Sequence, residues 1–251
     1  MKATVILSPA ASKRLIAKGT AALPMVRTAH ENGRIVIALG TTNAFVAEEL
    51  TGEPVDRGAF AAGFIDAQWN VNARLGEAGE IFLENGRAVQ RSPEEVLSSL
   101  RAGDVIIKGG NAIDPWGTVG VLMASATGGT VGRYIPSALA RGIDLVVPIS
   151  ISKSVHTPIG ELSQDMGTGR IARSQGQACG IFPLNGRVVT ELDALDVLFG
   201  VDAVHVASNG VGAGHGSVSL LIAGEDRSVE RAFELIESLS DEPDIELQGR
   251  A

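Results

Sequence analysis

The chain has 251 residues, of which 45% are hydrophobic and 20% charged, as is typical of a globular protein with one or two domains. Its formal net charge of −8 argues against nucleic acid as a partner, because neutralising phosphates requires a basic surface. The single cysteine, Cys179, excludes an internal disulfide and a thiolate metal cluster, and we expect no metal and no cofactor.

The chain also lacks the signals of a membrane or secreted protein. No apolar run approaches the ~18 residues of a membrane span. The N-terminal stretch "MKATVILSPAASKRL" places its lysine and arginine after a short apolar run, which is the wrong order for a signal peptide. We therefore expect a cytoplasmic protein with no membrane partner.

The N-terminal part of the chain alternates between strand-like and helix-like segments. "KATVILS" is typical of a strand, and Ser8 and Pro9 begin a helix that we expect to continue towards His30. "RIVIALG" at 34–40 has apolar residues on both faces, as in a central parallel strand. "NAFVAEEL" predicts a helix that ends at Gly52.

The middle of the chain continues this alternation. "GEIFLENGRAV" predicts two short strands around Asn85 and Gly86, and "SPEEVLSSL" carries a capping box formed by Ser92 and Glu95. "DVIIKGG" and "IDLVVPIS" are typical of buried strands, and "VGVLMASATGG" and "PSALARG" of helices. These lengths predict βα units on an open, mostly parallel sheet flanked by helices.

A different order begins near residue 178. "IFPLNGRVVT", "DAVHVAS", "GSVSLLIAG" and "DIELQ" predict strands, and "TELDALDVLFG" and "SVERAFELIESL" predict helices. This β-α-β-β-α-β order is that of a ferredoxin-like unit. We expect an α/β domain at 1–177 and a smaller ferredoxin-like α+β domain at 178–251, with the glycine-rich segment 157–180 as a linker or active-site loop.

The glycine run "GVGAGHG" at 210–216 suggests a dinucleotide site at first sight. That fingerprint requires a strand before the glycines and a helix after them. Here a second predicted strand follows, so we expect a hairpin loop. His215 is then either an exposed loop residue or a group that faces the other domain.

Three segments are candidates for a ligand site, because ligands of open parallel sheets bind at the carboxyl ends of the strands. The first is "LGTTN". Its residues Gly40, Thr41, Thr42 and Asn43 either form a plain helix cap or converge with the first amides of the helix on an anion.

The second segment is "DVIIKGGNAID". Lys108 ends an apolar strand, so its charge either points into a polar cleft or lies beyond the sheet in solvent. Gly109 and Gly110 permit close approach of a ligand, and Asn111 and Asp114 add polar groups.

The third segment is "ISKSVHTPIGELSQDMGTGR", a polar loop that includes Lys153 and is a candidate for lid or substrate contacts. Two further stretches carry open alternatives. "TGGTVGR" at 127–133 forms either a nest of backbone amides or a helix end with a turn. Asp66 in "FIDAQWN" is either a general base or a capping residue.

Together these segments resemble the superfamily that unites ribose-5-phosphate isomerase, glucosamine-6-phosphate deaminase and the CoA transferases. "IALGTTNAFVAEEL" is similar to its phosphate-binding first loop, and "DVIIKGGNAID" to the isomerase strand that leads into Lys-Gly-Gly. The isomerases also pair an α/β domain with a smaller ferredoxin-like one. Their "DGADE"-like carboxylate segment has only "FIDAQWN" as a counterpart here, and "LENG" at 83–86 resembles the run around a transferase's catalytic glutamate.

The resemblance implies a binder of a phosphorylated small metabolite, and the activity it implies is that of an aldose–ketose isomerase. Lys108 would stabilise an enediolate, and Asp66 or Asp114 would move the proton. The expected substrate contacts are Gly40, Thr41, Thr42, Asn43, Gly109, Gly110, Asn111 and Lys153.

Two other functions stay open. One is CoA or acyl transfer with Glu84 as the nucleophile. The other is a non-catalytic module for ligand sensing or oligomerisation. In each case we expect a small anionic partner, a phosphosugar or a CoA ester, and a homo-oligomer.

Overall fold

The computed structural model of the protein describes residues 1–65 and 78–246. Within these ranges the helices are α1 (Pro9–Ala22), α2 (Pro24–Asn32), α3 (Thr41–Thr51), α4 (Pro93–Ser99), α5 (Gly129–Arg141), α6 (Ile159–Asp165), α7 (Glu191–Phe199) and α8 (Asp226–Ser238). The strands are β1 (Lys2–Leu7), β2 (Arg34–Ile37), β3 (Ile81–Glu84), β4 (Arg87–Val89), β5 (Val105–Ile107), β6 (Ala112–Ile113), β7 (Val119–Met123), β8 (Asp144–Pro148), β9 (Gly180–Leu184), β10 (Arg187–Val189), β11 (Asp202–Ser208) and β12 (Val218–Ala223). Among the described residues, no helix has the length and apolar character that crossing a membrane requires.

The largest sheet has six strands in the order β10-β8-β5-β2-β3-β4. The first four run parallel to one another, whereas β3 is antiparallel to both β2 and β4. Ile37 of β2 lies opposite Ile107 of β5, which in turn lies opposite Val146 of β8. The fold is therefore mixed α/β, and the carboxyl ends of its central strands meet at one edge.

Two three-stranded sheets, β1-β12-β11 and β6-β7-β9, complete the fold. The strands of segment 178–251 are divided among all three sheets: β9 pairs with β7, β10 pairs with β8 in the six-stranded sheet, and β12 pairs with both β1 and β11. Among the described residues of that segment, the strands thus do not share the one sheet expected of a ferredoxin-like unit. The predicted last strand "DIELQ" begins at Asp244. The structure describes its first three residues, 244–246, and these are irregular.

Two helix predictions need correction. The stretch "VGVLMASATGG" forms strand β7, and α5 begins only at Gly129. Val119 and Val121 of β7 are buried, and the strand pairs with β6 and β9. The local pattern of a short apolar run fits both a strand and a buried helix, so the pairing with neighbouring strands determines which one forms. The helix expected to reach His30 breaks before Pro24, which begins α2 because proline lacks the amide needed inside a helix.

Local signals fixed other element ends correctly. Ser92 and Glu95 form the capping box of α4, and Thr190 and Asp193 form one at α7. Asn85 has a positive φ of 49° in the turn between β3 and β4. The glycine run at 210–216 lies between the antiparallel strands β11 and β12, as expected of a hairpin loop.

The core lies on both faces of the six-stranded sheet, with alternate residues pointing to opposite sides. Ile35 and Ile107 face a large cluster formed with α1, α3 and α7, whereas Val36 and Ile106 face α4, α5 and β7. The large cluster also includes Leu7 and the inner residues of β12 and α8, so segments from both predicted domains share one core.

Helices α1 and α7 cross at Gly19, and this crossing gives a stability prediction. A Cβ atom on Gly19 would lie 2.5 Å from Cβ and 2.6 Å from Cα of Ala194. We expect Gly19→Ala to destabilise the protein by ~1–3 kcal/mol in urea unfolding, because overpacking outweighs the better helix propensity of alanine.

The control for this prediction is Gly160→Ala in α6, where nothing lies within 4 Å of the added Cβ. We expect that change to be neutral or stabilising by ~0.5 kcal/mol. A Gly19→Ala protein as stable as the wild type would contradict the close helix crossing.

Candidate functional site

The loops that follow β2, β5 and β8 meet around a cavity of about 350 Å³, which we call the first cavity. Every residue predicted as a substrate contact lies in its wall, and so does Lys108. These residues are Gly40, Thr41, Thr42, Asn43, Lys108, Gly109, Gly110, Asn111 and Lys153. The parallel pairing of the strands therefore brings the three predicted segments together.

The N-terminus of α3 forms one side of the first cavity. The helix begins at Thr41, and neither Thr42 nor Asn43 caps it, because α3 has no side-chain cap among the described residues. The first amides of an uncapped helix are hydrogen-bond donors without an intrahelical partner, and the helix dipole makes this end electropositive. This end of α3 is suited to an anion.

Asn43 has a positioning role at the same place. Its side chain is fully buried, and Nδ2 donates to the carbonyl oxygens of Ala38 at 2.7 Å and Ile107 at 3.2 Å. These bonds tie the end of β2 to the end of β5. Asn43 thus holds the two loops together. It is also one of the predicted substrate contacts that line the cavity.

Three lysine ammonium groups line the first cavity, those of Lys13, Lys108 and Lys153. Each donates to a backbone carbonyl oxygen, at 3.1, 3.1 and 2.8 Å respectively. Among the described residues, none of the three forms a salt bridge with a carboxylate. Lys13, which lies on α1, had no recognisable signal in the sequence.

Burial makes the positive charge of these lysines unfavourable. It lowers the pKa of Lys108 to about 8, against a smaller opposing attraction from Glu80. Burial, with smaller contributions from the nearby charges of Lys13 and Lys108, lowers the pKa of Lys153 to about 8, while the charge of Glu191 acts in the opposite direction. An anion in the cavity would relieve this repulsion and favour the charged forms.

A buried carboxylate supports the turn that carries Lys153. Glu191 accepts hydrogen bonds from Ser150 Oγ at 2.5 Å and from the Ile151 amide at 2.9 Å. Its side chain is fully buried, and it is the first residue of α7. Glu191 therefore fixes the turn after β8, and this turn holds Lys153 in the cavity wall.

The segment 242–246 forms another part of the cavity wall. Glu242 accepts hydrogen bonds from Arg14 at 3.0 Å and from Arg57 at 2.8 Å, and both guanidinium groups lie over the ring of Phe45. This anchor brings Asp244 to the cavity. Burial lowers the pKa of Lys13, and Asp244 is the largest influence in the opposite direction.

Asp114 does not reach the cavity. Its carboxylate accepts hydrogen bonds from the amides of Trp116, Thr118 and Ile159, at 3.0, 2.9 and 3.1 Å. Burial alone would raise its pKa, but these donors hold the pKa below its usual value. The structure therefore gives Asp114 a role in folding the turn after β6, in place of the predicted proton transfer. The other predicted acid–base residue, Asp66, lies outside the described residues.

Asn111 also has a supporting role. Its Nδ2 donates to the carbonyl oxygen of Gly63 at 2.6 Å, and its Oδ1 accepts from the Leu122 amide at 3.0 Å. These bonds join the segment around Gly63 to β7, so the side chain shapes the cavity wall.

Glu84 lies at the opposite end of the strands from the first cavity. It is paired with Arg34, the first residue of β2, whereas the cavity lies beyond the last residue of that strand. Its carboxylate accepts hydrogen bonds from Arg34 at 2.8 Å and from Arg91 at 2.7 Å. The geometry does not bring Glu84 to the cationic cavity.

A second cavity of about 520 Å³ adjoins the first, and the two share Lys108 and Asn111 in their walls. The segment "TGGTVGR", for which the sequence left an amide nest or a helix end open, begins helix α5 and lines this second cavity. Glu80 and Arg133 lie in the same wall.

Comparisons with known proteins add nothing to this geometry, because no protein-family profile, curated protein or solved structure matches the chain. In the part of the chain that the structure describes, no group of three or more histidine, cysteine, aspartate or glutamate side chains could hold a metal ion.

The lowered pKa of Lys108 gives a prediction for the stability of the protein. Between about pH 8 and the ordinary lysine pKa of ~10.4, the unfolded state keeps a proton that the folded state has lost, so stability should rise with pH across this window. We expect Lys108→Met to stabilise the folded protein at pH 7 by ~1–3 kcal/mol and to reduce that rise.

Urea unfolding at pH 7 and pH 10 measures both effects. The control is Lys18→Met, since Lys18 on α1 pairs with Glu49 on α3 and does not line the cavity. A Lys108→Met protein less stable than the wild type at pH 7 would show that the lysine serves the fold and not a ligand.

Proposed function

We propose that the protein binds a phosphorylated small metabolite, with the phosphate in the first cavity. The observation that carries this proposal is the gathering, at the N-terminus of α3, of three ammonium groups that form no salt bridge with any residue in the described ranges. Holding three such charges together is unfavourable in the empty protein, so a dianion is the natural complement.

The chemistry of the wall favours phosphate among small anions. Backbone amides at a helix N-terminus and lysine ammonium groups together surround a tetrahedral anion with donors on several sides. The cavity of about 350 Å³ lies within the range of small-molecule sites. A local cationic site of this kind can attract an anion although the whole chain carries a formal charge of −8.

The reaction class that best fits this site is aldose–ketose isomerisation through an enediolate. The resemblance of "LGTTN" and "DVIIKGG" to the sugar-phosphate isomerases supports it. Lys108, whose pKa is about 8, remains mostly protonated at pH 7 and would stabilise negative charge on an enediolate oxygen. In contrast, the position of Glu84 at the opposite end of the strands weighs against a CoA transferase with that nucleophile.

Isothermal titration calorimetry tests the binding proposal. We expect inorganic phosphate and D-ribose 5-phosphate to bind the wild type, and Lys108→Met or Lys153→Met to weaken both by ~10-fold or more, because each removes a charge-assisted hydrogen bond. Lys18→Met should bind like the wild type.

Two results would contradict the proposal. The binding site is wrong if phosphate and ribose 5-phosphate fail to bind, or if the cavity variants bind them as well as the wild type. Isomerase activity is tested separately, by following deuterium incorporation from D2O into ribose 5-phosphate by NMR. Binding without incorporation would leave a binding protein and exclude the isomerase for this substrate.

Asp244 gives a second prediction, because its carboxylate is the one negative group that segment 242–246 places in the wall of the first cavity. We expect Asp244→Asn to tighten phosphate binding by about 2- to 10-fold at low ionic strength, and by less at high salt, because a repulsive charge is removed.

The matched control is Asp241→Asn, an exposed residue just outside the cavity. Calorimetry at two salt concentrations measures the effect. Weaker phosphate binding by Asp244→Asn would show that Asp244 supports the ligand instead of repelling it.

A further inference from the structure

The second cavity adjoins the first and differs from it in the balance of charge in its wall. Lys108 lies in the walls of both, so it marks their junction. Besides the shared Lys108, the first cavity has Lys13, Lys153 and Asp244 in its wall and so keeps a positive balance, whereas the second has Glu80 and Arg133, which form a salt bridge and offset each other. A single ligand that fills both must therefore have two chemically different ends.

Glu80 is fixed in the wall of the second cavity. Its side chain is only 3% exposed. It accepts hydrogen bonds from Tyr134 Oη at 2.6 Å, from Thr130 Oγ1 at 3.2 Å and from Arg133 Nη1 at 3.3 Å. Burial, helped by Glu80, raises the pKa of Tyr134, so that hydroxyl remains a donor. A carboxylate has about four lone-pair sites, so Glu80 keeps capacity to accept from a ligand.

Donors lie next to this acceptor. Helix α5 begins at Gly129 without a side-chain cap among the described residues, and its first turn lines the second cavity together with Arg133. A wall that offers an acceptor and several donors matches hydroxyl groups, which can both donate and accept. A second phosphate would lie against the carboxylate of Glu80, and an apolar chain would leave the first amides of α5 without partners.

We propose that the second cavity is the subsite for a hydroxylated carbon chain, the remainder of a ligand whose phosphate occupies the first cavity, with Glu80 accepting hydrogen bonds from its hydroxyls. This inference rests on the proposed function. It assigns the hydroxylated part of such a ligand to a separate subsite, and it makes Glu80 the residue that sets the preference for hydroxyl groups over an apolar chain.

Calorimetry with three ligands tests the subsite: inorganic phosphate, D-ribose 5-phosphate, and monobutyl phosphate, whose chain has no hydroxyls. We expect the wild type to bind ribose 5-phosphate at least ~10-fold more tightly than monobutyl phosphate. Glu80→Gln should weaken ribose 5-phosphate by ~10-fold, should not weaken inorganic phosphate, and should reduce the difference between the two esters. Glu31→Gln, an exposed change on α2, should have no effect.

The outcomes separate this inference from the proposed function. If inorganic phosphate does not bind the wild type, the first cavity is not the phosphate site and the proposed function fails. If phosphate binds but the two esters bind equally, the hydroxyl subsite is overturned while the phosphate site stands.

Folding of the variant does not limit the test. The comparison of the two esters on the wild type requires no substitution, so it decides the question even if Glu80→Gln fails to fold. Thr130→Val, which removes a donor to Glu80, is a second variant and should weaken ribose 5-phosphate alone by ~3-fold.

Discussion

The parallel pairing of the central strands is the constraint on which the site depends. Because β2, β5 and β8 run in the same direction and in register, their following loops must leave the sheet at one edge. Asn43 strengthens this arrangement by bonding the carbonyl oxygens at the ends of β2 and β5 with one buried side chain. The distance between the helix amides at Thr41 and the ammonium of Lys108 is thus set by the sheet and not by flexible loops.

The price of this arrangement is electrostatic. Burial lowers the pKa of Lys108 to about 8, and burial together with the charges of Lys13 and Lys108 lowers the pKa of Lys153 to about 8, so the site opposes the charges that it holds. Backbone carbonyl oxygens accept hydrogen bonds from both ammonium groups, and attraction to Glu80 at Lys108 and to Glu191 at Lys153 partly offsets this cost. A protein selected only for stability would replace such lysines with apolar residues.

The sequence alone predicted most of the residues that line the first cavity, but it did not predict the rest of that wall or Glu80 in the second cavity. Gly40 and Lys108 were predictable because each follows a short buried strand, and strand direction then places both at one edge. Lys13, Glu80 and Asp244 come from a helix, an irregular stretch and the segment after α8, so long-range packing brings them in without a local signal. The same limit explains the ferredoxin-like prediction, since element order does not determine that β12 pairs with β1.

The two cavities differ in the charges of their walls, so the two ends of the cleft are not equivalent. Positive charge is concentrated where α3 begins, and Glu80 lies on the far side of Lys108. A ligand with an anionic end and a neutral hydrogen-bonding end then has one favourable orientation, because the reverse would set a phosphate against Glu80 and leave three ammonium groups unmatched. Lys108 lies between the two cavities, at the point where the balance of charge changes. It lies in the walls of both cavities, so its ammonium group would be beside the middle of any ligand long enough to fill them both.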